Sequence, residues 1–445
     1  MWTALFGESL PALRSLPALL GVLTAALSGL TARRLGGGGY AAALAMLCVA
    51  AAPEYLALFG YYSMNCFEVF FWTLAAYVLV RILYGGEERL WPWLGLVLGL
   101  GLLNKLSVLW LGLGLGAGLL LTGERRRLST RGPWLAAAIA LLIAAPHFWW
   151  QVQSGWPTAE FIRNATSVKM KATTPVAFLL AQIDNQHPLT APVWLLGLVF
   201  TLFRLEGRVR PLGVLYLTVF GLLVVNQKSR AGYLAAAYPM LLACGAVWIE
   251  ALTRRARWLR PVSLATLALG GLATAPLVVP VLSPEGYVAY ARRLGVAPST
   301  EENKRIGALP QFFADRTGWP DLVLKVEGVL ATLPPQERAG AVILASNYGQ
   351  AGALETLAPG RLPRVVSGHN NYWLWGPGAG AAEPVLVLAN VEVRPRLDAL
   401  CAQVEDRGEV GCRFCMPYES RTRVFVCRGL REPLPQLWPR LKHFD

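Results

Sequence analysis

Charge is what this chain has least of. Only 15% of its 445 residues are Asp, Glu, Lys or Arg, where a soluble globular chain carries roughly 25%. That shortfall excludes the soluble multidomain protein that length alone would suggest. Acidic residues are the scarcer sign, 27 against 41 basic, for a formal net charge of +14. In a soluble chain this excess would point to nucleic acid. Here it is unevenly placed: residues 1–282 hold 22 basic and 10 acidic side chains, residues 283–445 hold 19 and 17. The excess lies where charge is otherwise rarest, as a basic bias that orients membrane helices would, and no nucleic-acid partner is implied. The first ten residues contain nothing resembling a charged segment followed by an apolar one, so no export signal is expected within them. No inverted repeat of Gly/Pro-broken helices is evident, which makes a transporter or lipid flippase the alternative and not the leading reading.

What is abundant is apolar sequence, 55% of residues. Apolar stretches at 10–31, 41–59, 67–83, 94–103, 106–121, 133–150, 189–203, 211–225, 233–249 and 261–282 predict about ten transmembrane helices. Residues 94–121 could be one bent helix around Asn104 and Lys105, but the alternation of charged loops favours two spans. Basic residues gather in every second loop: Arg33 and Arg34; Arg81 and Arg89; Arg125 to Arg127 with Arg131; Arg204, Arg208 and Arg210; Arg254, Arg255, Arg257 and Arg260. Those loops are expected in the cytoplasm. Loops 60–66, 104–105, 151–188 and 226–232 are expected outside. Parity then places residues 283–445 outside, and Met1 too. The expected fold is an α-helical polytopic membrane protein, residues 1–282, with a C-terminal extracytoplasmic α/β domain, residues 283–445.

In that second part, short β-branched runs at 341–345, 364–366, 384–389 and 423–427 read as strands, and 321–332, 350–357 and 395–404 as helices. Its cysteines, Cys401, Cys412, Cys415 and Cys427, allow three disulfide connectivities. Cys412 and Cys415 have the spacing of half a zinc site, but no second ligand pair follows at zinc-like spacing, so disulfide or free thiol is the better reading. Asn347-Tyr-Gly349-Gln-Ala-Gly352 lacks the full glycine fingerprint of a phosphate loop and reads as an ordinary strand-to-helix turn. Ser367-Gly-His-Asn-Asn-Tyr-Trp-Leu-Trp375 suits the faces and hydroxyls of a sugar, or equally a buried aromatic corner.

Ionisable groups within or beside apolar spans are costly and therefore informative. Glu54, Glu68, Lys105 and Lys228 qualify, and with Asn65, Asn104 and His147 all fall toward the outer ends of their spans. A cavity opening outward is expected. Lys228 and Arg230 in Asn226-Gln-Lys-Ser-Arg230 could hold a lipid phosphate or merely anchor the chain at the interface. In the loop 151–188, Glu160 and Asn164 share a face if helical. Lys169 and Lys171 could hold a phosphate, or the segment could lie solvated on the bilayer. Asp184 and His187, at i and i+3, could share a metal, but a two-residue pair is a weak signal.

These pieces together resemble the bacterial GT-C fold glycosyltransferases that depend on polyprenyl-phosphate sugars, a family related to protein O-mannosyltransferases and the lipid A aminoarabinose transferase. The resemblance rests on Leu5-Phe-Gly-Glu-Ser-Leu-x-Ala-Leu-Arg14, Ala32-Arg-Arg-Leu-Gly36, Ser63-Met-Asn65 with Phe71-Trp-Thr-Leu-Ala75, and Gly99-Leu-Gly-Leu-Leu-Asn-Lys105. Further along it includes Trp150-Gln151, Gly155-Trp-Pro157 with Glu160-Phe161, Lys228 with Tyr233-Leu-Ala, Ala237-Tyr-Pro239, and Ser367 to Gly376. It implies a bacterial plasma-membrane enzyme that moves a sugar from a polyprenyl-phosphate donor to a lipid or other envelope acceptor, among membrane lipids. It implies Lys228, Arg230 and Lys105 for the donor phosphate, and Asn164, His187 and Tyr233 for sugar or acceptor. No metal ligands are assigned and no cofactor is expected. Family members begin with one more helix and an acidic loop whose carboxylate is thought to be the base, so Glu54 and Glu160 stand only as substitutes. A chain starting at Met1 is then expected to lack transfer activity, and a non-catalytic relative is a further alternative. The family also has two tyrosines soon after the lysine, where Ser229-Arg-Ala-Gly-Tyr233 has one.

Overall fold

The computed structural model describes residues 2–379 and 383–445. Met1, for which the charge pattern predicts a side of the membrane, lies outside them. The chain divides into two compact units: residues 1–153 with 172–281, and residues 154–171 with 282–445.

The first unit is helical, and each of the ten apolar stretches falls on a helix. Leu10–Arg34, Met64–Leu83, Arg131–Gln153 and Ala231–Leu252 are long and apolar enough to cross a membrane, and Pro175–Asn185 with Pro188–Phe203, bent by 94°, make a fifth if taken together. Gly39–Ala51, Val108–Leu120 and Arg210–Asn226 are apolar but shorter. The shortening has local causes. Pro53, which has no N–H to donate, separates Gly39–Ala51 from Pro53–Leu58. Lys105 is extended at the end of Trp91–Asn104, and the next helix starts at Val108, so 94–121 is two helices. Starts are fixed by side-chain caps: Ser9, Ser63 and Thr174 accept from the N–H groups of Ala12, Asn65 and Ala177. The helices Ala191–Phe203 and Tyr238–Leu252 touch backbone to backbone, since a Cβ on Gly197 would lie 1.9 Å from the Leu241 carbonyl oxygen and one on Gly245 1.8 Å from that of Val193. Small residues at such crossings are how helices pack where lipid offers no hydrophobic drive.

The second unit contains a five-stranded sheet. Its strands are β1 (Val342–Ala345), β2 (Arg364–Ser367), β3 (Val385–Ala389), β4 (Cys401–Glu409) and β5 (Arg423–Leu430), in the order β2-β1-β3-β5-β4. The β1 pairings to β2 and β3 are parallel, and the β3–β5 and β5–β4 pairings antiparallel. Ile343, Leu386 and Val426 bury one face under the helices Trp319–Ala331 and Tyr348–Leu357. The helix expected over 395–404 is corrected: it spans Arg394–Leu400, and β4 starts at Cys401. Cys401-Ala-Gln-Val-Glu-Asp-Arg-Gly-Glu409 is a polar edge strand without apolar alternation, and its partner β5 and the Cys401–Cys427 disulfide define it. Cys412 and Cys415 are buried free thiols. The turn at Asn347 is capped by that residue's side chain, which accepts from Gln350 N–H at 2.9 Å.

Asp315, in this unit, accepts from the Tyr418 hydroxyl at 3.2 Å. Burial, with Glu302 and Glu419 nearby, pushes its carboxyl up to about 6 from 3.8. A raised carboxyl makes the folded state bind the proton more tightly, so its stabilising contribution is full below 3.8 and is lost as pH rises through about 6. Asp315→Asn should therefore flatten that loss and raise stability at pH 8 by on the order of 2 kcal/mol. Thermal melts of both proteins from pH 4 to 8 check it, and an equal pH slope in the two would refute it.

Candidate active site

Several of the ionisable residues expected at outer span ends converge in the helical unit. Lys105 Nζ lies 2.6 Å from Glu68 Oε2 and donates to Asn65 Oδ1 at 2.9 Å. Ser107 donates to the other Glu68 oxygen. Glu68 is 5% exposed, and these donors satisfy a side chain that would be costly to bury without partners. The Lys105 ammonium also sits 5.3 Å over the Tyr233 ring, and Asn104 Nδ2 donates to Met64 O at 2.9 Å. The helix Met64–Leu83 explains the convergence. Asn65 and Glu68 lie in its first turns and Arg81 in its last, about 24 Å from Asn65 along the axis at 1.5 Å per residue. Polar cluster and basic loop thus occupy opposite ends of one helix.

Tyr233 belongs to the short 3-10 segment Ala231–Ala237, which is fixed from beneath. Tyr55 donates to Ala235 O at 2.8 Å, and Gln182 Nε2 to Ala231 O at 3.2 Å. Tyr238 donates to Gln182 Oε1 at 3.2 Å and pairs with the Tyr216 hydroxyl at 3.0 Å. Gln182 is a support of this segment that sequence reasoning missed. Its only signal was an amide within an apolar helix. Glu54 reaches the same segment, with Oε1 2.5 Å from where a Cβ on Gly232 would sit, so a side chain at that position would push the carboxylate aside.

Lys228 and Arg230 enter this segment from the end of Arg210–Asn226. Gln227 turns the chain with φ 52°, and its carbonyl accepts from Thr173 N–H at 2.6 Å. Lys228 and Arg230 are both half-buried. His187 lies elsewhere in the unit. It is 4% exposed, at the break between the two bent helices, and its Nδ1 accepts from Leu189 N–H at 3.1 Å. Asp184 is exposed. Glu160 and Asn164 belong to the other unit. Glu160 pairs with Lys442 at 2.7 Å, and Asn164 Nδ2 donates to Phe444 O at 2.7 Å. Their loop is clasped there by the Met170–Glu302 bridge and by Asn303 N–H to Lys169 O at 2.8 Å.

These features define a multi-pass membrane protein with a polar cluster gathered at one end of its helices. Residues 1–150 match the family described as dolichyl-phosphate-mannose-protein mannosyltransferase. The fold is similar to that of ArnT from Cupriavidus metallidurans bound to undecaprenyl phosphate, with a TM-score of 0.60 and 16% identity over 95% of this chain and 85% of that one. The same protein in its apo state gives 0.57 at the same identity and coverage. No curated protein matches the sequence. The resemblance drawn from the sequence motifs is borne out by the family match and by the fold.

Proposed function

We propose that this chain takes a sugar from a polyprenyl-phosphate donor to a lipid or other cell-envelope acceptor at the outer face of the bacterial plasma membrane. The observation that carries this reading is the gathering of Lys105, Tyr233, Glu54 and the Lys228–Arg230 turn on one 3-10 segment of an ArnT-like fold. Breaking the bond between the anomeric carbon and the phosphate leaves an anionic lipid phosphate, which needs cations, and the acceptor hydroxyl must lose a proton. Lys228 and Arg230 take the first role, with Lys105 behind them in its pair with Glu68. Glu54 is the candidate base, because its carboxylate lies against the segment that carries Tyr233. Tyr233 offers an aromatic face to the sugar.

Residues 1–282 then form the transferase domain and 283–445 the extracytoplasmic one. Two observations favour that orientation. Basic loops lie at the helix ends opposite the polar cluster, and the Cys401–Cys427 disulfide belongs in an oxidising compartment.

Binding of a short-chain polyprenyl phosphate to the purified protein tests the site without requiring turnover. A charge-assisted bond to phosphate is worth roughly 1.5–3 kcal/mol. Lys228→Ala should thus weaken affinity about ten- to a hundredfold, and Lys228→Arg less. Undiminished affinity in Lys228→Ala would remove that residue from the site, and no saturable binding by the wild-type protein would overturn the reading.

A further inference from the structure

Two imidazoles and a carboxylate meet in the sheet-containing unit, in the aromatic stretch whose histidine the transfer chemistry leaves unused. His369 and His443 pair as a parallel bridge, with His443 N–H donating to Gly368 O at 3.0 Å and Asn370 N–H to His443 O at 2.9 Å. Laterally paired positions point their side chains to one face. The two rings accordingly lie side by side, centroids 4.6 Å apart and 17° from parallel. Asp445 Oδ1 is 3.2 Å from His369 Nε2. One ligand atom from each of the three residues lies within 4.8 Å of the other two. Tetrahedral bonds of about 2.0–2.1 Å separate neighbouring ligand atoms by about 3.3 Å. The His369–Asp445 edge already has that length, and the others need to close by at most about 1.5 Å, within reach of ring rotation.

Two carbonyl groups orient the exposed ring. His443 is flanked by two carbonyl oxygens, Leu441 O at 2.9 Å from Nδ1 and Ser346 O at 3.1 Å from Nε2. A neutral imidazole has one N–H, so one of its nitrogens turns a lone pair toward an oxygen. With Nδ1–H on Leu441 O, the usual way a metal-binding histidine is oriented, Nε2 is the nitrogen left for a metal. On His369, Tyr348 N–H reaches Nδ1 at 3.4 Å and Nε2 faces Asp445 O and Oδ1, each at 3.2 Å, so a metal at Nε2 would take the place of a proton shared with Asp445.

We propose that His369, His443 and Asp445 bind a divalent transition metal of the zinc class, leaving a fourth position for water. Two imidazoles with one carboxylate suit zinc better than magnesium or calcium, which favour all-oxygen sets. The metal would fasten residues 443–445 to the end of β2. Through Lys442–Glu160 and Asn164–Phe444, it would also fasten the helix Pro157–Asn164.

The test uses the full chain, purified without a histidine tag and stripped with a chelator, then titrated with Zn²⁺ or Co²⁺. A single equivalent should bind, raising the thermal midpoint by mass action, and the cobalt spectrum should be that of nitrogen and oxygen ligands without thiolate charge transfer. His443 is exposed, so His443→Ala should fold yet lose at least about 100-fold in affinity, since even outer-shell partners are worth 10–100-fold. His443→Gln, which keeps a donor for a carbonyl, should lose as much. Cys412→Ser/Cys415→Ser should bind like wild type. Absence of saturable binding, unchanged affinity in both His443 variants, or a thiolate band that disappears with Cys412 and Cys415 would each overturn the proposal.

Discussion

Glu68→Ala, with Lys105 left in place, should be among the most damaging single substitutions in the helical unit. Glu68 is 5% exposed and Lys105 is held by it at 2.6 Å, so truncation strands an ammonium where little water reaches. Removing one member of a buried pair typically costs about 3–5 kcal/mol. At roughly 1 °C per kcal/mol for a chain of 445 residues, the thermal midpoint in detergent should fall by about 3–5 °C. Replacing both members by apolar groups of similar volume is often neutral, because the desolvation penalty goes with the pair. Glu68→Leu/Lys105→Met should therefore recover stability. Lipid-phosphate binding separates the roles: a purely structural pair recovers binding along with stability, whereas a Lys105 that helps hold the phosphate does not. A Glu68→Ala melt that matches wild type would show that the pair is solvated and that its geometry carries no weight.

That pair also shows what the sequence could and could not supply. Costly ionisable residues in apolar surroundings are visible one at a time, so Glu54, Glu68, Lys105 and Lys228 stood out, and their shared position at outer span ends pointed to one cavity. Pairing was not visible. Lys105 meets Glu68 and Asn65 from helices about 40 positions apart in sequence, and no periodicity within either helix reports that. Glu160 and Asn164 satisfied the helical spacing expected of them, and they do share the helix Pro157–Asn164. Their partners, Lys442 and Phe444, are some 280 positions away, which local pattern cannot reach. Gln182 went unnoticed because a lone buried amide looks like any other polar residue until its partners from other helices, Ala231 and Tyr238, are in place. The helices were legible because apolar runs and prolines act locally. Strand β4 was not, since a polar edge strand is specified by its neighbour β5 rather than by its own alternation.

The same neighbour relation underlies the last expected result, the behaviour of Cys401–Cys427. Sequence allowed three connectivities, and the structure shows Cys401–Cys427, joining β4 to β5 with the two Cα atoms 5.8 Å apart, although the register sets Cys401 opposite Leu430 and Cys427 opposite Val404. The bond closes a loop with a sequence separation of 26, for which loop-closure entropy gives a stabilisation of about 3–4 kcal/mol. It matters more here than in a central strand, because β4 has little apolar area of its own to bury. Cys401→Ala/Cys427→Ala should destabilise the sheet-containing unit by about that amount, and should expose β4 to proteolysis before the remaining strands. Thiol counting gives a direct check. Cys48, Cys66, Cys244, Cys412 and Cys415 are free, so wild-type protein unfolded without reductant should take up five maleimides, and seven after reduction. Seven without reductant would mean that the bond does not form in the cell, and it would remove the compartment argument for an outward-facing C-terminal domain along with it.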